Sequence, residues 1–256
     1  MVASIGKYNF TYKLDKDGNA ILCCDGKEPC VSPKPEGTLI IPPIIDGHKI
    51  TRMVGTLFKD CHGMTKLVLP EHLQGVDAMF GWGCSSLGSI EISKSNPKYT
   101  SENGVLYTKD RRTLIRYPPA RSEVLLLPTT RRIGSDAFNL CDRIRKMRLP
   151  EGVEVVNWYG FSGMRQLETV EFPKSLQDIG NYTFVYCSKL TKIVFNGDAP
   201  RKGGELFGRA SGDRRVSKDI VVEVRKGSKG WNGKDSTDLP ERWPLKGAAR
   251  PIRYIQ

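Results

Sequence analysis

Apolar positions recur along this chain in one phrase: an aromatic residue, two further residues, a cysteine, and then three apolar residues at spaced positions, often closed by proline. Aligned on cysteine, the copies run from Phe58 to Cys61 with Met64, Leu67, Leu69 and Pro70, and from Gly81 to Cys84 with Leu87, Ile90 and Ile92. They continue from Phe138 to Cys141 with Ile144, Met147, Leu149 and Pro150, and from Phe184 to Cys187 with Leu190, Ile193 and Phe195. Another copy, Phe161 to Met164 with Leu167, Val170, Phe172 and Pro173, has methionine in the cysteine position. Cys61 and Cys84, Cys141 and Met164, and Met164 and Cys187 each lie 23 residues apart. Self-similarity at such a period marks an array of short units, none of which buries its apolar face alone.

Within each unit the pattern predicts a short strand. Side chains alternate across a strand, so Leu67 and Leu69 point into the core while Lys66 and Val68 point outward, and Pro70, with no N–H to donate, ends the ladder. The same parity makes Thr38 and Ile40, Ser89 and Glu91, Lys146 and Arg148, Thr169 and Glu171, and Lys192 and Val194 outward positions. A second apolar stretch follows each strand, at Leu73 to Val76, Ile133 to Gly134, Val153 to Val156 and Leu176 to Gly180, so each unit reads as a flattened coil with two walls. Cysteines at one register would stack at about the strand spacing of 4.7–4.9 Å. A row of metal ligands or a disulfide would fit that spacing, but a free cysteine also behaves as a small buried hydrophobe. Met164 keeps the apolarity and loses the thiolate, so core packing is the preferred reading.

The run Ile133-Gly-Ser-Asp-Ala-Phe138-Asn-Leu-Cys141, followed by Ile144, Met147 and Leu149-Pro150, resembles the BspA-like (Treponema pallidum-type) leucine-rich repeat. The resemblance covers roughly residues 38 to 196, and includes a hairpin insertion from Asn96 to Pro119 like one common in that family. It implies a right-handed, β-rich (α/β) leucine-rich-repeat solenoid. In it, residues 1–37 form a hairpin cap, 38–196 the repeats with the insertion at 94–124, and 197–256 an irregular C-terminal cap. It further implies a non-enzymatic surface or secreted binding protein of bacterial or protist type, whose partners differ from member to member. Two departures stand out: Gly81 sits where phenylalanine belongs, leaving Phe80 or Trp82 to fill the gap, and Asn157-Trp158 replaces the usual glycine.

Outside the repeats, Tyr8, Phe10 and Tyr12 alternate before the turn Asp15-Lys-Asp-Gly18, a hairpin signature. Ile220 to Val224 reads as a strand, and Trp231, Trp243 and Tyr254 belong to the C-terminal cap. No run approaches the roughly 20 apolar residues of a membrane span, and the N-terminus lacks the pattern of a signal peptide. The expected location is therefore secreted or cell-surface if a leader was trimmed, and cytoplasmic otherwise. Cys23, Cys24 and Cys30 remain outside the repeat register, and a bridge from Cys30 to either of the others stays open.

Charge then adds a candidate surface. The formal net charge is +12 with a pI near 9.4, which favours anionic partners. Eleven basic residues stand against four acidic ones between Lys109 and Arg148. Arg111, Arg112, Arg116, Arg131, Arg132 and Arg145 form the candidate anion-binding set, whereas a second basic run from Arg209 to Arg215 lies among glycines and reads as a loop. By parity Lys146 and Arg148 leave one wall and Arg131 and Arg132 the other, so the charge wraps around the coil, a weaker nucleic-acid signal than a stripe. The candidate partner-binding row on the strand wall is Lys66, Glu91, Lys146, Arg148, Glu171 and Lys192, which fits another protein or a surface polymer. Exposed aromatic residues are expected on the turns at Trp158, Tyr159 and Tyr182.

Catalytic chemistry finds little support. His48, His62 and His72 are the only histidines; His62 adjoins Cys61, but neighbouring residues on a coil edge diverge, whereas catalytic pairs face one another. Gly81-Trp-Gly-Cys-Ser-Ser lacks the lysine of a phosphate loop, and Asp15, Asp17 and Gly18 lack the glutamate of a calcium loop. The sequence therefore points to a non-catalytic interaction module with no cofactor, binding protein through its strand wall or hairpin insertion. The alternative is an adhesin-like binder of anionic polysaccharide or nucleic acid.

Overall fold

A computed structural model of the chain describes residues 1–24, 30–200, 202–203, 206–207, 220–231 and 252–256. The run from Arg209 to Arg215 and Trp243 lie outside the described residues. Two compact units divide the chain, one of Met1–Arg111 with Ile115–Ala120 and one of Arg112–Leu114 with Arg121–Gln256.

In the first unit, β1 (Val2–Ile5), β2 (Tyr8–Leu14) and β3 (Ala20–Cys23) pair antiparallel in sequence order. The alternation of Tyr8, Phe10 and Tyr12 buries the last two. Asp15 makes the turn after β2, its Oδ1 accepting the N–H groups of Asp17 and Asn19 at 2.9 Å each. The carboxylate thus satisfies backbone donors, as in an Asx-turn. Then come β4 (Val31–Ser32), β5 (Gly37–Ile40), β6 (Ile44–Ile45), β7 (His48–Val54), β8 (Met64–Leu69), β9 (Gly75–Val76) and β10 (Ser89–Ile92). β3, β7 and β9 pair parallel, as do β5, β8 and β10. Lys66 faces Ser89 and Leu67 faces Ile90 across the ladder, so the 23-residue sequence period is the register of the sheet. Leu67, Leu69 and Ile90 are buried as parity predicts.

The insertion holds the antiparallel hairpin β11 (Tyr99–Glu102) and β12 (Val105–Thr108). Its two-residue loop, Asn103-Gly104, has φ of 52° and 74°. Positive φ at both positions matches the right-handed strand twist, and asparagine and glycine are the residues that tolerate it. In the irregular second coil, Phe80 is buried within the short 3₁₀ turn Ala78–Gly81 and fills the gap, whereas Trp82 stays exposed.

β13 (Thr113–Arg116) contributes Thr113 and Leu114 to the second unit. That unit continues with β14 (Arg132–Ile133), β15 (Lys146–Arg148), β16 (Val155–Val156), β17 (Thr169–Phe172), β18 (Asp178–Ile179), β19 (Lys192–Phe195), β20 (Lys202–Gly203), β21 (Val221–Arg225) and β22 (Ile252–Ile255). The strands sort into two parallel sheets, one running β14, β16, β18, β20 and the other β15, β17, β19, β21, β22. Arg132 faces Val155 and Val155 faces Asp178 in the first; Lys146 faces Thr169 and Thr169 faces Lys192 in the second. Inward residues of both sheets pack on a spine of rings: Phe138, Phe161, Phe184 and Phe207 follow one another at 5.6, 5.8 and 5.8 Å. Phe172, Phe195 and Trp231 form a second column at 5.0 and 4.9 Å. Each ring contact adds about 0.5–1.5 kcal/mol beyond area burial. Among the described residues there is no α-helix, and no helix is long and apolar enough to cross a membrane.

Candidate functional site

Parity along β8, β10, β15, β17 and β19 decides which side chains leave the core, and ladder register decides which of them meet. Lys66 and Glu91 of the first unit form an ion pair at 2.8 Å. In the second unit Arg148 lies 3.6 Å from Glu171, Lys192 2.7 Å from Glu223, and Arg145 3.2 Å from Glu168. Five of the six candidate wall residues therefore neutralise a neighbour on the adjoining strand. Pairs of this kind, with an exposed basic partner, contribute about 0–1 kcal/mol each. Lys146 is exposed and makes no ion pair among the described residues. Val194 departs from the outward expectation: it is 7% exposed, flanked in the ladder by Glu171 and Glu223.

At the end of β15 the wall opens into a groove of about 380 Å³. Val124, Leu125 and Leu126 line one side, and Arg148, Leu149, Pro150 and Glu151 the other, with Pro173 and Asn196 completing it. A polar chain fixes one side. Asn196 Nδ2 donates to Glu171 Oε1 at 2.8 Å and to the Phe172 carbonyl at 3.0 Å, while its Oδ1 accepts from Arg225 Nε at 2.9 Å. Glu171 is thereby held between Asn196 and Arg148, which orients the guanidinium at the groove. Leu125 is 70% exposed at its rim. The sequence reading did not mark Leu125, Pro173 or Asn196. Leu125 stands 23 residues before Arg148, the one signal that would have placed it on the outward side.

The basic set is divided. Arg111 and Arg116 belong to the first unit, and Arg112, Arg131, Arg132 and Arg145 to the second. Arg111 Nε pairs with Glu102 at 2.7 Å and Arg145 with Glu168; Arg131 Nη1 donates to the carbonyls of Pro128 and Thr130. Arg132 is exposed on β14, in the sheet opposite the one carrying Lys146 and Arg148, as the wrapped charge required. Arg116 is a correction. Its side chain is completely buried, donating to the Gly81 carbonyl at 3.4 Å, because Leu114 and Arg116 share the inward parity of β13. It presents nothing to an external anion.

The repeat cysteines are buried free thiols. Cys84 Sγ donates to the Phe58 carbonyl at 3.0 Å and Cys187 Sγ to the Phe161 carbonyl at 3.2 Å. Each thiol thus ties its coil to the backbone of the previous one, a bond that a purely apolar side chain cannot make. Burial pushes the Cys187 thiol up to about 12, and that of Cys30, outside the register, up to about 12 as well. Both therefore stay protonated and unreactive near neutral pH. Cys23 and Cys24, half-buried, are also free thiols. The histidines serve three separate places. His62 Nδ1 lies 3.3 Å from Ser85 Oγ, His48 Nδ1 2.7 Å from the Gly18 carbonyl, and His72 Nε2 3.5 Å from Glu71.

Residues 121–211 match the BspA type leucine rich repeat region in six copies. The sequence matches no curated protein. Among solved structures, a leucine-rich repeat protein from Eubacterium ventriosum is similar at 21% identity and a TM-score of 0.60, over 74% of this chain and 48% of that one. The chain thus spans about half the length of that relative. The pneumococcal vaccine antigen PcpA is similar at 18% identity and a TM-score of 0.55, over 86% of this chain and 68% of that one. At such identities the likeness is one of fold.

Proposed function

For a chain that carries BspA-type leucine-rich repeats, we propose a non-catalytic interaction module at a bacterial surface or outside the cell, binding another protein through the outward wall of its repeat strands. In this reading the coils are right-handed solenoid turns, residues 1–37 and 197–256 cap them, and 38–196 are the repeats. The observation that carries it is the groove beside β15, where the exposed Leu125 and the oriented Arg148 adjoin Lys146. An exposed apolar anchor beside an oriented guanidinium, both open to desolvation by a partner and ringed by weak surface pairs, supports this reading, since buried aliphatic and arginine anchors of this kind carry binding energy at interfaces. An extended segment offering an apolar side chain for the groove and a carboxylate for Lys146 or Arg148 fits it. Leu125→Asp and Arg148→Glu should each weaken capture of such a partner at least about tenfold, a loss of about 1.4 kcal/mol. Both variants should keep the wild-type circular dichroism, since neither side chain is in the core.

A binder of anionic polysaccharide or nucleic acid is the second reading, supported by Arg132 and Lys146, exposed and outside any ion pair among the described residues. Salt separates the two. Affinity for heparin or DNA through phosphate or sulfate contacts falls steeply with ionic strength, whereas an apolar anchor holds. A pull-down from culture medium and lysate at low and high salt, with wild type and both variants side by side, decides. A partner retained at high salt and lost by Leu125→Asp supports the first reading; capture indifferent to both substitutions refutes it.

A further inference from the structure

β15 is the first strand of its sheet, which runs β15, β17, β19, β21, β22. Its ladder with β17 uses only half of its backbone. Lys146 faces Thr169 and Arg148 faces Glu171. Leu149 N–H donates to the Glu171 carbonyl at 3.0 Å, and the Arg145 carbonyl accepts from Thr169 N–H at 3.3 Å. Along a parallel strand successive residues turn their N–H and C=O groups to opposite sides. Arg145, Met147 and Leu149 therefore serve β17, while Lys146 and Arg148 turn theirs to the other edge. Those backbone groups of Lys146 and Arg148 meet no hydrogen-bond partner among the described residues, and both residues are exposed. Along that edge runs the groove, with Val124, Leu125 and Leu126 on its far side.

The sequence explains why the edge is open. In a regular coil the run Glu123-Val-Leu-Leu-Leu-Pro128 would be the rung before Lys146-Met-Arg-Leu-Pro150. Pro150 and Pro173 stand 23 residues apart, but Pro128 and Pro150 only 22. The shortfall lies in the return segment: Ile133 follows Pro128 by five positions, whereas Val156, its neighbour in the opposite sheet, follows Pro150 by six. Holding Ile133 in register with Val156 puts the run one residue out of step with β15, and a one-residue slip exchanges inward for outward side chains. Leu125 is accordingly 70% exposed, and Val124, Leu126 and Leu127 are only half-buried, where Met147 and Leu149 are 2% exposed. The run joins no ladder with β15, and the missing rung is the groove.

We propose that this edge takes a β-strand from another protein, an extended segment of alternating acidic and apolar residues that lies in the groove and hydrogen-bonds to the backbone of Lys146 and Arg148. The inference rests on the strand-wall reading and adds to it how the partner is held. An unpaired edge is a template for a further strand, and strand addition draws affinity from main-chain bonds and specificity from alternate side chains. Register dictates the alternation. Residues beside Lys146 and Arg148 point outward, where a carboxylate meets Lys146, which makes no ion pair among the described residues, and Arg148, whose own pair with Glu171 is 3.6 Å long. Residues beside Met147 and Leu149 point inward and call for apolar side chains against Val124 and Leu126. Glu151 lines the groove beyond Pro150, past the stretch that the two basic residues flank. A second copy of this chain would bring Lys146 and Arg148 against their own equivalents, and like charges across strands oppose that pairing. A groove of about 380 Å³ takes a few residues of peptide rather than a folded surface.

The test uses the whole chain and the end-capped peptide Ser-Glu-Val-Glu-Val-Glu-Ser, titrated by calorimetry. The peptide should bind, and hydrogen exchange at the Lys146 and Arg148 amides should slow when it does. Only one edge of the peptide faces β15, so N-methylating its valines and N-methylating its glutamates should differ, one weakening binding at least about tenfold and the other little. Lys146→Pro removes an edge amide and leaves the bonds to β17 in place. It should weaken binding more than Lys146→Ala does, with unchanged circular dichroism. Should both N-methylated peptides bind like the parent while Leu125→Asp still weakens binding, the groove docks a partner without strand addition, and this proposal falls while the strand-wall reading stands. No binding up to about 1 mM, unchanged exchange at the two amides, or a dimer of the chain that Lys146→Pro abolishes would overturn it as well.

Discussion

Gly81 removes a ring from the second coil, and three side chains respond. Phe80 turns inward, Leu87 comes within 3.6 Å of where a Cβ would stand on Gly81, and the Arg116 guanidinium within 3.9 Å. A buried cation is costly unless bonded, and the Gly81 carbonyl supplies one acceptor. Removing the side chain leaves a hole and strips bonded groups of their partner. Arg116→Ala should therefore lower stability by roughly 3 kcal/mol, measured by urea unfolding; a change within about 0.5 kcal/mol would show that the site collapses freely. Parity along β13 puts Arg116 on the inward side with Leu114, a signal the sequence reading did not use. A count of basic residues carried it into the anion-binding set instead, because charge alone does not reveal that another coil has left a vacancy.

Strand position, period and ladder register were all legible, since the alternation of Leu67 and Leu69 or Val170 and Phe172 admits only one buried face, and a one-residue slip would expose it. The hairpin of the insertion was expected from the family resemblance of Asn96 to Pro119, although Asn103-Gly104 between two apolar runs is the local signal that makes its turn. Close approach between coils was not. Gly197 follows β19, and a Cβ there would lie 2.6 Å from the Lys174 carbonyl oxygen and 2.8 Å from its Cα. Backbone cannot yield as a flexible side chain does, so Gly197→Ala should cost about 1–3 kcal/mol, seen as a lower thermal midpoint with an unchanged β-type spectrum. A neutral result would mean that the neighbouring coil shifts without loss.

Over the whole molecule, buried thiols set an alkaline limit. Cys30 and Cys187 titrate at about 12 in the folded chain against 9.0 for the ordinary thiol. Above pH 9 the unfolded chain loses these protons while the folded chain keeps them, so their contribution is complete below about pH 9 and is lost as pH rises toward 12. The urea midpoint should stay level from about pH 7 to 8.5 and fall beyond, and Cys187→Ala, weaker at neutral pH, should show the shallower fall. Equal slopes would refute the assignment. The 23-residue period, the two-walled coil and the inward cysteine row follow from the sequence alone, because they rest on local alternation and on apolar faces that must be covered by the next copy. Which charges pair, where Leu125 and Arg148 frame a groove, that Arg116 turns inside, and how Trp158, still 57% exposed, lies against Gly180 were decided only by the tertiary structure. Each of these joins residues on different coils, and such meetings depend on stacking distance and on which neighbour is small, quantities that no single stretch of chain contains.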